Sequence, residues 1–150
     1  MELILWRHAE AGSADSDFAR ELTRRGRNQA SRMADWLNPR LPPDIRVWVS
    51  PAVRAVQTAQ ALGREYELIP ALAPGASADD VLAAVNWPDM PHPLLIVGHQ
   101  PTLGQVAMHL LTGQAGDLPV KKAGIWWFQA REQGGELQVA LRAVTGPDWL

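Results

Sequence analysis

Three short stretches place basic side chains beside turn-forming residues. They are Arg7-His8-Ala9-Glu10, Ser50-Pro51 followed by Arg54, and Gly98-His99-Gln100-Pro101. Brought together, Arg7, His8, Arg54 and His99 describe a pocket for phosphate or another oxyanion. Nearby positive charge disfavours a protonated imidazole, so a histidine among arginines stays neutral and keeps its lone pair. The same guanidiniums hold phosphoryl oxygens and offset the charge of the transition state. A ring nitrogen aimed at phosphorus can attack it. Water then cleaves the phosphohistidine, which makes the catalysis covalent and two-step.

Such convergence requires a fold that returns the chain repeatedly to one edge. Glu2–Trp6 is a short apolar run and reads as a buried strand. Residues 11–19 read as a loop. Thr23 caps a helix to Leu37 whose Ala30, Met33, Ala34 and Leu37 share one face. Ile45–Val49 is a second strand. Ser50 as N-cap and Pro51 at the first helical position open a helix ending near Leu62. Tyr66–Ile69 is a weak strand, and Ser77 starts a helix up to Asn86. Leu94–Val97 is a further strand. Pro101 opens a helix with Leu103, Val106, Ala107, Leu110 and Leu111 on one face. Gly124–Ala130 and Glu136–Ala143 flank Gln133-Gly134-Gly135 as a terminal hairpin. This order predicts an α/β three-layer sandwich: a mostly parallel sheet flanked by helices, with a C-terminal antiparallel hairpin. In such a sheet ligands bind at the C-terminal ends of the strands, where the three basic stretches fall. Helix N-termini near Pro51 and Pro101 point to the same edge and would favour an anion.

Composition narrows the function. The 150 residues suit one domain spanning 1–150. A net charge of -2 argues against a nucleic-acid partner. With no cysteine, neither a disulfide framework nor a cysteine nucleophile is available. No apolar run is long enough to span a membrane and no leader is evident, so the expectation is a cytoplasmic protein without a membrane partner. Arginine beside a cation is unfavourable, so no metal is expected, and the chemistry read from these residues calls for no cofactor.

The three stretches resemble the motifs of the histidine phosphatase superfamily, which includes the phosphoglycerate mutases. Arg7-His8 resembles its Arg-His-Gly signature, with Ala9 in the glycine place. Leu22-Thr23-x-x-Gly26 resembles its next helix start. Ser50-Pro51-x-x-Arg54-Ala55-x-Gln57-Thr58-Ala59 resembles its second motif, and Gly98-His99 its third. The short chain, Asp17-x-x-Arg20-x-Leu22-Thr23 and Gly98-His99-Gln100-Pro101 look most like the SixA-type phosphohistidine phosphatase branch. The resemblance implies a phosphoglycerate mutase-like fold. It implies His8 as the nucleophile that becomes phosphorylated, Arg7, Arg54 and His99 as the phosphate clamp, and Arg20 as a further contact. Larger relatives protonate the leaving alcohol with an acidic residue. Here Leu72-Ala73-Pro74 and Gln100 stand at the places where that acid is usually found, and no motif makes Glu10, Glu65 or Glu67 an acid. An imidazole leaving group needs such an acid less than an alkoxide does. The expected substrate is therefore phosphohistidine on a phosphotransfer or phosphocarrier protein, met by an open cleft. The alternatives are a small-molecule phosphomonoesterase of the same fold and a non-catalytic phosphate-recognition module.

Other polar and aromatic features take plainer readings. Arg24, Arg25 and Arg27 read as a solvated helix face rather than an anion patch. Lys121-Lys122 reads as a charged strand entry rather than the border of the substrate entrance. His92 and His109 receive no role. Trp6, Trp36, Trp48, Trp126 and Trp127 read as packing residues, with adjacent Trp126 and Trp127 facing opposite sides of a strand.

Overall fold

The computed structural model describes residues 1–150. Its main elements are β1 (Glu2–Arg7), α1 (Arg24–Leu37), β2 (Arg46–Val49), α2 (Val53–Gln60), β3 (Glu67–Leu68), α3 (Ala78–Val85), β4 (Leu94–Gly98), α4 (Thr102–Thr112), β5 (Ile125–Gln133) and β6 (Glu136–Thr145). The six strands form one sheet in the order β3-β2-β4-β1-β5-β6. β1 pairs parallel with β4, and β2 pairs parallel with both β4 and β3. β5 runs antiparallel to β1 and β6 antiparallel to β5. The architecture is the expected α/β sandwich.

Both faces of the sheet are covered, which is why its central strands are apolar throughout rather than alternating. Ile4 and Trp6 of β1, Val47 and Val49 of β2, and Leu95 and Val97 of β4 pack with Ala30, Met33, Ala34 and Leu37 of α1 and Ala55 and Ala59 of α2. The opposite alternation, Leu3, Leu5, Leu94 and Ile96, packs with Val81 and Val85 of α3 and Leu103, Val106 and Ala107 of α4. Trp127 joins the first core and Trp126 borders the second, as the pleat requires.

Local departures from expectation have clear causes. α2 begins at Val53 with Ala52 as its N-cap, not at Ser50-Pro51. The Ser50 hydroxyl is drawn instead to His99 and to the Ala52 amide. α4 starts at Thr102, and its Leu111 is exposed while Leu110 is buried. α2 ends at Gln60, short of Leu62.

The register carries the functional stretches to one edge. Arg7 lies opposite Gly98 at the ends of β1 and β4. The His8 amide donates to the Gly98 carbonyl and the Ser50 amide to the Val97 carbonyl. α1 docks closely beneath the chain leaving His8. A Cβ on Gly26 would sit 2.0 Å from the Glu10 carbonyl oxygen. Helix propensity favours alanine over glycine by about 1 kcal/mol, but a rigid backbone contact outweighs that. Gly26→Ala is therefore expected to destabilise the fold by about 2 kcal/mol or more, against less than about 0.5 kcal/mol for exposed Arg27→Ala. Urea unfolding of both variants checks the contrast.

Candidate functional site

His8, Arg54 and His99 are buried together beyond the ends of β1, β2 and β4. The His8 and His99 rings lie 5.1 Å apart between centroids, inclined at 53°. The His8 backbone is tied on both sides. Its amide donates to Gly98 and its carbonyl accepts from the Ala123 amide at 3.1 Å. Ala123 holds a φ of 60°, an uncommon conformation for a residue with a Cβ, at the turn leading into β5.

The ring of His8 is oriented by the chain itself. Its Nδ1 lies 2.8 Å from the Ala9 carbonyl oxygen. A carbonyl only accepts, so Nδ1 carries the proton and donates it there. Nε2 then bears the lone pair, and the Arg54 Nε–H faces it at 3.4 Å. Burial is the main cause that lowers the pKa of His8, to about 4. The Ala9 hydrogen bond opposes this, while Arg54, Arg7 and Arg20 reinforce it. Burial, then His8 and Arg54, lowers His99 to about 3. Both rings are neutral near neutral pH, chiefly through burial, with the neighbouring arginines adding to it.

Ala9 does not crowd the nucleophile candidate. It is fully buried within the core shared with α1 and α2. Its amide donates to the Thr58 hydroxyl at 3.0 Å, and that hydroxyl donates to the Arg54 carbonyl at 2.8 Å. Thr58 thus couples the turn after His8 to the helix that carries Arg54.

Two buried polar atoms in this cluster have no protein partner: Arg7 Nε and His99 Nδ1. The other His99 nitrogen lies 2.7 Å from the Ser50 hydroxyl. That hydroxyl already accepts from the Ala52 amide at 3.2 Å. Its proton is free to point at His99 Nε2, which leaves His99 Nδ1–H as an unsatisfied donor. Arg7 is anchored by donation from its other arm to the Val120 carbonyl at 2.9 Å, and burial lowers its pKa from the usual value. Unpartnered buried donors are costly in a protein and mark where an acceptor belongs.

Arg20 lies at the outer side of the cluster. It donates to the Gly12 carbonyl at 2.8 Å and to Asp17 at 3.2 Å. Asp17 also accepts from Arg54 at 3.1 Å through its carboxylate and at 2.7 Å through its carbonyl. Hydrogen bonds from Arg20 and then Arg54 hold the Asp17 carboxyl below the usual range. Sequence alone does not single out Asp17, Ser50 and Thr58 as site residues. Asp17-x-x-Arg20 and the second motif contained them, but spacing does not reveal which arginine or imidazole each one meets.

The helix N-termini are less open to an anion than their positions suggest. At the start of α2 the Val53 amide donates to the Phe18 carbonyl and the Ala52 amide to Ser50. At the start of α4 the Gln100 side chain accepts from the Gly104 amide at 2.7 Å and donates to the Leu118 carbonyl at 2.9 Å. The residue after His99 thus caps a helix and ties down a loop. No group of three or more His, Asp or Glu side chains is arranged to hold a metal ion.

Comparison with known proteins gives the family. The model of the histidine phosphatase superfamily (branch 1) matches residues 3–75. Phosphohistidine phosphatase SixA of Escherichia coli is 30% identical over 123 residues, 76% of each chain. A solved structure of the protein histidine phosphatase SixA complexed with tungstate superposes with a TM-score of 0.81 at 26% identity, covering 99% of this chain and 98% of its own. The structure of a SixA protein from Nakamurella multipartitia gives 0.76 at 28% identity, covering 97% and 95%. The chain belongs to the histidine phosphatase superfamily and is a phosphatase. Within that superfamily it groups with the SixA proteins.

The neutral histidines give the fold a pH signature. In the unfolded chain each histidine protonates near 6.5, whereas the folded protein resists until about 4 for His8 and about 3 for His99. Below 6.5 the unfolded state binds more protons, so stability is full above that pH and falls as pH drops toward 4 and 3. The limiting slope is about 1.4 kcal/mol per pH unit for each histidine. Denaturant titrations between pH 7 and about 4 are expected to show the loss, and the His99→Asn variant a shallower one.

Proposed function

We propose that this protein is a cofactor-independent phosphohistidine phosphatase acting on a phosphotransfer or phosphocarrier protein. The observation that carries the reading is the pairing of a neutral, oriented His8 with unpartnered donors in one buried cluster. Arg7, Arg54 and His99 Nδ1–H hold the phosphoryl oxygens, with Arg20 as an outer contact. Tungstate in the SixA neighbour is an oxyanion of similar shape and supports an oxyanion pocket here.

In the first step His8 Nε2 attacks phosphorus in line. The P–N bond of the substrate breaks, and a protonated substrate imidazole leaves as neutral imidazole. The His8 ring is now phosphorylated on Nε2 and still protonated on Nδ1, and the Ala9 carbonyl accepts from that cation. In the second step water attacks phosphorus, the electron pair of the new P–N bond returns to Nε2, and phosphate carries away the water's protons. No net proton passes through a protein acid.

The carboxylate at the clamp and the amide that follows His99 bear on the leaving group. Asp17, the carboxylate that touches the clamp, is held ionised by Arg20 and Arg54 and is a poor acid for an alkoxide. Gln100 is committed to α4 and Leu118. Both favour a P–N substrate over an alkyl phosphate ester.

Rapid quench with labelled phosphodonor should trap an acid-labile, alkali-stable phosphoenzyme. His8→Ala should keep its circular dichroism spectrum and lose turnover by about a thousandfold or more. The kcat/KM should be higher on phosphohistidine protein than on alkyl phosphomonoesters. Higher values on the esters would favour the phosphomonoesterase. Binding without turnover would favour the recognition module.

A further inference from the structure

A cavity of about 510 Å³ opens beside the histidine cluster and shares Arg7 with it. It lies where the start of α1, the loop before β5 and the chain's C-terminal turn meet. Arg25, Lys121 and Lys122 join Arg7 in lining it, and none of the four forms an ion pair. Glu10 and Asp148 are the lining carboxylates. Glu10 already accepts from the Thr23 hydroxyl at 2.9 Å. Two tryptophans complete the walls: Trp126, half-buried, and Trp149, 83% exposed.

The chain as a whole carries -2, so this local excess of cations runs against its average. A concave patch of one sign focuses its field on an opposite charge and orients the approaching partner. Exposed tryptophan and unpaired arginine are also the side chains that most often anchor protein interfaces.

We infer that this cavity is a docking groove for an acidic segment of the phosphorylated protein, lying beside its phosphohistidine. The inference rests on the proposed phosphohistidine reading. Its geometry is that of neighbours: His8 and His99 are 8% and 4% exposed, so a substrate imidazole must project from a surface to reach them. That surface then lies over the groove that begins at Arg7. The cavity holds a few side chains rather than a domain. A glutamate- or aspartate-bearing turn meets Lys121, Lys122 and Arg25 and covers the indole of Trp149. Hydrolysis is unaltered in kind; the groove selects which phosphohistidines are presented.

The test uses two synthetic peptides with phosphohistidine flanked by glutamates or by serines, and stable phosphonate analogues of both. The wild-type protein should prefer the glutamate peptide in kcat/KM by about tenfold at low salt, with the preference shrinking as salt rises. The triple variant Arg25→Ser, Lys121→Ser, Lys122→Ser should lose that preference while hydrolysing free phosphoramidate at the wild-type rate. The phosphonates, read by tryptophan fluorescence, should show the same preference in binding. If neither peptide is turned over but the phosphonate preference survives, the phosphohistidine reading fails and the groove stands. Equal affinity for both phosphonates, a preference that persists in the variant, or tighter binding of a single-stranded oligonucleotide overturns the groove.

Discussion

The His8 imidazole is buried among guanidiniums, with Nδ1 on the Ala9 carbonyl and Nε2 facing Arg54 at 3.4 Å. Burial excludes the imidazolium, and the carbonyl selects the tautomer. Together they leave one nitrogen with a lone pair at the edge of the sheet. Much of the surrounding structure serves this arrangement. β4 holds the His8 amide, Ala123 holds its carbonyl, and Thr58 fixes the next residue to the helix bearing Arg54.

This arrangement has a thermodynamic consequence. Two neutral imidazoles and unpaired donors at Arg7 Nε and His99 Nδ1 sit together where water is scarce. An interior like this is stabilised poorly by its own contacts and well by an oxyanion that satisfies them. The apolar layers around β1, β2 and β4 offset that cost, since both faces of the sheet are covered and α1 and α2 pack tightly against one of them. The site thus draws on stability built elsewhere in the fold.

Much of the fold was legible in the sequence because its signals are periodic and local. The apolar run of β1, the i, i+3, i+4 face of α1 and the glycine turn at 134–135 each act within one element. The four basic residues were legible as a group because Arg7, His8 and His99 stand where strands end and Arg54 in the first turn of the helix after another, all at the edge that a parallel sheet brings together. The partners that orient them were not. Trp6 and the Ala123 carbonyl meet across 117 positions, and Arg7 meets the Val120 carbonyl across 113. Such contacts go to backbone atoms, which carry no residue-type signal. The start of α2 departs from the sequence expectation for a related reason. Ser50 has the composition of a cap, but its hydroxyl is claimed by a histidine from another strand.

The proposed chemistry requires that His8 be neutral, with its free lone pair on Nε2. Nitrogen-15 NMR of the histidine rings reads both protonation and tautomer directly. His8 should be protonated on Nδ1 alone at neutral pH and stay neutral until about pH 4 in the anion-free protein. A His8 that titrates near 6.5, or carries its proton on Nε2, would contradict it.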